Sequence, residues 1–156
     1  MALESVLVVV LCGTDMGNFQ TPLIISKTHP SPVYRIPGGD VELGESREQA
    51  AVREVSEETG IEISSTDLHW ITTAVKKNRG STHHQHTYLA VLPNTDGFRG
   101  NEEFKDGEEI LVAELHGIEA IYEHIVGGKK LNNQEMLNHH KLAMKCTMDW
   151  CNQPTS

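Results

Sequence analysis

The chain opens on an unbroken apolar run, "VLVVVLC" from Val6 to Cys12, inside the longer segment "SVLVVVLCG". Seven apolar residues fall well short of the roughly 20 that a membrane-spanning helix needs, so the run reads as a buried strand. A second segment, "TPLIISK", follows the turn residues Gly13, Thr14, Asp15, Met16 and Gly17, and the two predict a hairpin. A shorter extended piece, Val33 to Ile36, runs into Pro37-Gly38-Gly39, where regular structure halts and the backbone can approach other groups closely. The period then changes. Ser46 with Gln49 three residues on forms a capping box and Gly60 suits a C-terminal exit, which predicts a helix over Ser46–Thr59. "HWITTAV" and "HTYLAVL" read as strands joined by a polar, partly basic loop, "KKNRGSTHHQ", and "EEILVAEL" as a further strand. Helices over Ile118–Ile125 and Asn133–Trp150, broken at Gly127-Gly128, finish the chain. Strands interleaved with helices predict a mixed α/β (α+β) fold, and 156 residues are the length of a single domain.

Composition then narrows the function. Thirteen Lys and Arg against twenty-two Asp and Glu give a formal charge of −9, which excludes the broad basic surface that duplex nucleic acid requires. Glu4 stands where a signal peptide would carry a basic region, and no small-residue cleavage site follows, so a cytoplasmic protein without a membrane partner is expected. Cys12, Cys146 and Cys151 lack CxxC spacing and read as structural thiols. The acidity is concentrated in two places. Residues 39–61 carry a net −5 and residues 101–109 a net −4, together the whole formal charge.

On the marked helix, Glu54, Glu57 and Glu58 stand at i, i+3 and i+4 and share a sector of about 100°, while Ala51, Val52 and Val55 occupy another. Like charges at this spacing repel by a few tenths of a kcal/mol per pair, roughly, and no Lys or Arg follows four residues on to offset them. A hard divalent cation would compensate; a plain solvated acidic face is the alternative. Arg53 and Glu45 could pair as guanidinium and carboxylate beside this cluster.

Taken together, "GGDVELGESREQAAVREVSEETGI" resembles the signature of the Nudix hydrolases, with Gly39, Glu45, Arg53, Glu54, Glu57, Glu58 and Gly60 at the fixed positions and apolar Val55 and Ile61 between and after them. The resemblance implies a Nudix fold, an α/β/α sandwich with a mixed sheet, and a Mg²⁺- or Mn²⁺-dependent pyrophosphohydrolase acting on a nucleoside diphosphate linked to another moiety. It also implies metal ligation by Glu54, Glu57 and Glu58 with the carbonyl of Gly38, a supporting Arg53–Glu45 pair, and Glu57 or Glu54 as general base. Family members often add a carboxylate from outside the box, for which "NEEFKDGEE", Asn101–Glu109, offers Glu102, Glu103, Glu108 and Glu109; Glu108 or Glu109, at the edge of the following strand, is the best fixed. The alternative within the same fold is a non-hydrolytic nucleotide-binding or sensor module; a third is other diphosphate chemistry on the same scaffold.

Outside the box, His83, His84 and His86 put two imidazoles on one face of a strand if extended, where they could touch substrate, as could Lys76, Lys77 and Arg79. Lys77, His84 and His86 are the substrate-binding candidates; a polar strand edge and an exposed loop explain the same residues. Trp70, Tyr34 and Tyr88 could stack on a base or belong to the core. The proline that ADP-ribose pyrophosphatases carry about sixteen residues past the box is absent, since Lys77 stands there. A homodimer is the commonest assembly for such a chain.

Overall fold

Alternation along the first strand, β1 (Ala2–Cys12), covers both faces of one sheet. Val6, Val8, Val10 and Cys12 pack with Ala50, Ala51 and Val55 of helix α1 (Arg47–Thr59) on one side. Leu7, Val9 and Leu11 pack on the other with Ile121 of α2 (Ile118–Gly127) and Ala143 and Met144 of α3 (Asn138–Cys151). A strand apolar at every position from Val6 to Cys12 is thus the middle layer of a helix–sheet–helix stack, and burying each Val there contributes roughly 1.5–3 kcal/mol. The structure is a computed structural model and describes residues 2–14, 18–100 and 102–152.

The remaining strands are β2 (Gln20–Ser26), β3 (Gly38–Asp40), β4 (Leu68–Asn78), β5 (Ser81–Leu92), β6 (Phe104–Asp106) and β7 (Glu109–Gly117). They form one seven-stranded sheet in the order β4-β5-β1-β2-β7-β6, with β3 added against β1. β1 and β5 run parallel and the other pairs antiparallel, so the sheet is mixed and the fold α+β. Among the described residues no helix is long and apolar enough to cross a membrane.

The hairpin of β1 and β2 forms, although Asp15, Met16 and Gly17 of its turn, like Asn101 of the acidic stretch, lie outside the described residues. Helix α1 begins as its capping box requires: Ser46 Oγ accepts from Gln49 N–H at 3.0 Å and Gln49 Oε1 accepts from Ser46 N–H at 2.8 Å. It ends on Gly60 at φ +81°, the left-handed exit.

Two expectations change, and two short strands are added. The polar stretch 76–85 is not a loop but the two arms of the β4–β5 hairpin, closed at Arg79-Gly80; residues 76–78 belong to the exposed edge strand β4 and residues 81–85 to the half-buried start of β5, which pairing on both sides holds without an apolar run. The last helix begins at Asn138 rather than Asn133, because Asn132 and Asn133 take positive φ (48° and 63°) in a turn where Leu131 pairs with Gln134. Buried His124 fixes that turn: Met136 N–H donates to its Nε2 at 3.1 Å, which leaves Nδ1–H to donate to the Lys129 carbonyl at 2.6 Å. β3 and β6, three residues each, carry no period to read.

Thr21 on β2 is 1% exposed, and its Oγ1 has no hydrogen-bond partner among the described residues. Thr21→Val keeps the shape and removes the unpaired hydroxyl, so it is expected to stabilise by about 1 kcal/mol, read as a raised urea midpoint at unchanged slope.

Candidate active site

The site begins where β1 and β2 part. They pair at Cys12 and Gln20, and the segment 34–40 then enters between them. Arg35 exchanges both backbone hydrogen bonds with Ile24 of β2, each at 2.8 Å, while Val8 N–H of β1 donates to the Pro37 carbonyl at 2.8 Å and β3 pairs with Ser5–Leu7. Glycine is needed in this wedge for lack of space. A Cβ on Gly38 would overlap the Val6 carbonyl oxygen and lie 3.0 Å from Leu7 Cα; one on Gly39 would overlap Glu54 Oε1 and lie 2.6 Å from its Cδ. Gly38 N–H, facing α1, donates to Glu58 Oε1 at 2.8 Å.

Arg53 organises the acids. Its Nε and Nη2 form a fork on Glu45, at 2.8 and 3.0 Å, and Nη2 also donates to the Asp40 carbonyl at 3.0 Å. Nη1 donates to Glu54 Oε1 at 2.9 Å and Glu57 Oε2 at 3.3 Å. The Arg53 fork and the Glu42 N–H hold the Glu45 carboxyl below its usual range, and Arg53 itself is raised, foremost by Glu45. Burial acts the other way on two members of the triplet. It raises Glu54 against the pull of Arg53, and it pushes Glu58 up to about 8 because Gly38 N–H is a small offset. Charge from Asp106 on β6 adds to both shifts.

These groups line a cleft of about 820 Å³ that draws on both faces of the sheet. Gly38, Arg53, Glu54, Glu57 and Glu58 line it, as do Arg35, Lys105 and Asp106; Glu45 stands behind Arg53. The acidic stretch 101–109 therefore supplies Asp106, not Glu108: Glu108 is exposed in the β6–β7 turn, and Glu109 pairs with Arg35 at 3.5 Å. Glu102 and Glu103 lie beside Glu57 and Glu58 in a small adjoining hollow of about 50 Å³. No three acidic, His or Cys side chains among the described residues stand converged as metal ligands, and Arg53 Nη1 is bonded to both Glu54 and Glu57.

Strand alternation decides the histidines. His83 and Gln85 line the cleft, whereas His84 and His86 point to the opposite face of β5 and do not. His86 is buried there; Thr73 Oγ1 lies 2.9 Å from its Nδ1 and Glu4 Oε1 3.1 Å from its Nε2. Lys77 is likewise off the cleft, because it stands opposite Thr82; Lys76, opposite His83, is the lysine whose charge reaches His139 and His140. Of the aromatic candidates, Tyr34 and Tyr88 are core and Trp70 is exposed on β4. His139 and His140 of α3 line the cleft although no pattern in the sequence marks them; a His-His pair on a helix carries no ligand spacing.

Residues 3–136 match the NUDIX domain family. The chain belongs to this family. Over 43 residues it is 46% identical to the "Putative 8-oxo-dGTP diphosphatase" of Bacillus subtilis (strain 168), a match that covers 28% of this chain and 29% of that protein. Among solved structures it resembles the MutT/nudix family protein from Enterococcus faecalis (22% identity, TM-score 0.62, covering 96% of this chain and 62% of that one). It also resembles the NUDIX domain of Shewanella oneidensis NrtR complexed with ADP ribose (13% identity, TM-score 0.70, covering 97% and 90%). At these identities the two structures share the fold.

The two glycines are expected to separate in their effects. Gly38→Ala meets backbone and should destabilise by about 1–3 kcal/mol or more in urea unfolding. Gly39→Ala meets the end of a side chain, so it should fold with little loss yet displace Glu54 and lower kcat/KM.

His140 sets a pH dependence. It is buried, and desolvation takes it from 6.5 down to about 3. Below pH 6.5 the unfolded chain takes up a proton that the folded chain refuses. Its contribution is therefore full above pH 6.5 and lost as pH falls toward 3. His140→Gln should flatten this part of the stability–pH profile measured by urea unfolding.

Proposed function

We propose that this chain is a Mg²⁺- or Mn²⁺-dependent pyrophosphohydrolase that cleaves a nucleoside diphosphate linked to another moiety. The observation that carries the reading is the grouping of Glu54, Glu57 and Glu58 at one cleft wall with the Gly38-Gly39 backbone pressed against them. Nudix hydrolases generally use divalent metals, and the donors here fit one. They are hard oxygens, and Glu58 is a partly buried acid on which, among the described residues, only Gly38 N–H donates, leaving its charge largely uncompensated. Glu54, Glu57 and Glu58 would hold the ion with the Gly38 carbonyl, and Asp106 is placed to add a carboxylate from outside the box in the role first expected of Glu108. When bound, such an ion neutralises phosphate charge and acidifies water.

The protein's own residues do the rest. Arg53, clamped to Glu45 through Nε and Nη2, stays oriented while Nη1 can exchange its bonds to Glu54 and Glu57. Glu57, the most exposed of the three at 59% against 14% for Glu54, is the better placed to accept a proton from water in the cleft; Glu54 is the alternative base. Arg35 and Lys105 on the lining supply positive charge for phosphate.

Nucleoside triphosphates, including the 8-oxo-dGTP named for the Bacillus protein, nucleotide sugars, ADP-ribose and dinucleoside polyphosphates form the test panel. With Mg²⁺, at least one should yield a nucleoside monophosphate, and Glu57→Gln and Glu54→Gln should each lower kcat by about 10²–10⁴-fold. ³¹P NMR in ¹⁸O-labelled water should place the label on phosphorus. Tight binding with no turnover of any member would favour a sensor module instead.

A further inference from the structure

The cleft has a second set of polar groups that the acids do not use. His140 on α3 is 5% exposed, lines the cleft, and accepts the Ile36 N–H on Nδ1 at 2.8 Å. A backbone N–H can only donate, so Nδ1 is bare and the neutral ring must carry its hydrogen on Nε2. No protein group among the described residues bonds that Nε2, and it is not among the fully enclosed unpaired atoms, so on a ring that lines the cleft it keeps access to a ligand. The backbone thus fixes this buried ring as a directed, uncharged donor.

Other polar groups stand beside it. His139 packs edge-on against it, ring centroids 4.5 Å apart. Gln85 of β5 lines the same cleft, half-buried, with no hydrogen-bond partner for its carboxamide among the described residues. His83 is tied by Nε2 to Ser5 Oγ at 2.9 Å. The family match ends at residue 136, so the two α3 histidines stand beyond it.

Phosphate is met by cations, which the cleft supplies in Arg35 and Lys105. A neutral donor of fixed direction suits a neutral acceptor on a planar group, and in a nucleotide that group is the base. We propose that His140 and Gln85 read the nucleobase, and that the fixed Nε2–H selects a keto base of the guanine or uracil type over an amino base of the adenine or cytosine type. An amino group at that edge sets donor against donor and leaves both unpaired, which disfavours it by at least about tenfold. The inference rests on the nucleotide pyrophosphohydrolase reading given above.

The test uses the full chain with GMP, AMP, UMP and CMP as probes, followed by calorimetry and by NMR of ¹⁵N-histidine-labelled protein. GMP and UMP should bind at least about tenfold more tightly than AMP and CMP, and only they should shift the His140 Nε2–H resonance. With Mg²⁺, kcat/KM for GTP over ATP and UTP over CTP should follow the same order. Gln85→Leu, which breaks no bond in the protein, and His140→Gln should both bring the ratios toward one; the wild-type spectrum and Gln85→Leu serve if His140→Gln does not fold. Equal binding of keto and amino bases, or a His140 signal that none of the four moves, would overturn the assignment. Turnover without base preference would remove this inference and leave the hydrolase reading standing, whereas keto-selective binding without turnover would do the reverse.

Discussion

The backbone at Gly38-Gly39 has no spare volume on either side. Toward β1 it lies against the Val6 carbonyl and Leu7 Cα, and toward α1 it lies against the Glu54 carboxylate, with its own N–H spent on Glu58. This double contact fixes the distance between the sheet and the acidic face of the helix. Helix α1 can approach so closely because Ala50, Ala51 and Val55, all buried, present a small-residue surface to Val6, Val8 and Val10. The same wedge holds β1 and β2 apart, and the cleft exists because they are apart. A side chain at Gly38 would be felt first in the sheet backbone, and one at Gly39 in the Glu54 carboxylate.

Within that frame the electrostatics are deliberately unbalanced. One guanidinium serves Glu45, Glu54 and Glu57, and Glu58 receives a single backbone N–H. Burial raises Glu54 and Glu58, which in the free protein works against stability at neutral pH. Acids held this way mark a candidate functional site. The imidazoles show the opposite treatment. His124 and His140 are each committed by a backbone N–H to one tautomer, and so act as rigid connectors between α2 or α3 and the segments that border the cleft.

Local signals were legible wherever a short stretch of chain decides the outcome. The capping box at Ser46 and Gln49, the Gly60 exit and the i, i+3, i+4 acids placed helix α1 and its acidic face to within a residue. The apolar run at Val6–Cys12 marked the central strand. The cluster Gly39, Glu45, Arg53, Glu54, Glu57 and Glu58 carried the family. Outside the box the reading weakened. Lys77, His84 and His86 were singled out for charge and chemistry, but a strand's two-residue period puts them on the alternate face of β4 and β5 from Lys76, His83 and Gln85, and of these His83 and Gln85 line the cleft. Nothing within the polar stretch itself says which face is which.

What the sequence by itself determined is therefore the helix, the central strand and the acid set, because capping, periodicity and spacing act over a few residues. Only the tertiary structure decided that Asp106 rather than Glu108 completes the acidic wall and that His139 and His140 reach the same cleft from more than seventy residues away. Those placements depend on strand register and on the insertion of residues 34–40 between β1 and β2, which are settled by packing between distant parts of the chain. A pairing shifted by one residue would have exchanged one set of side chains for the other.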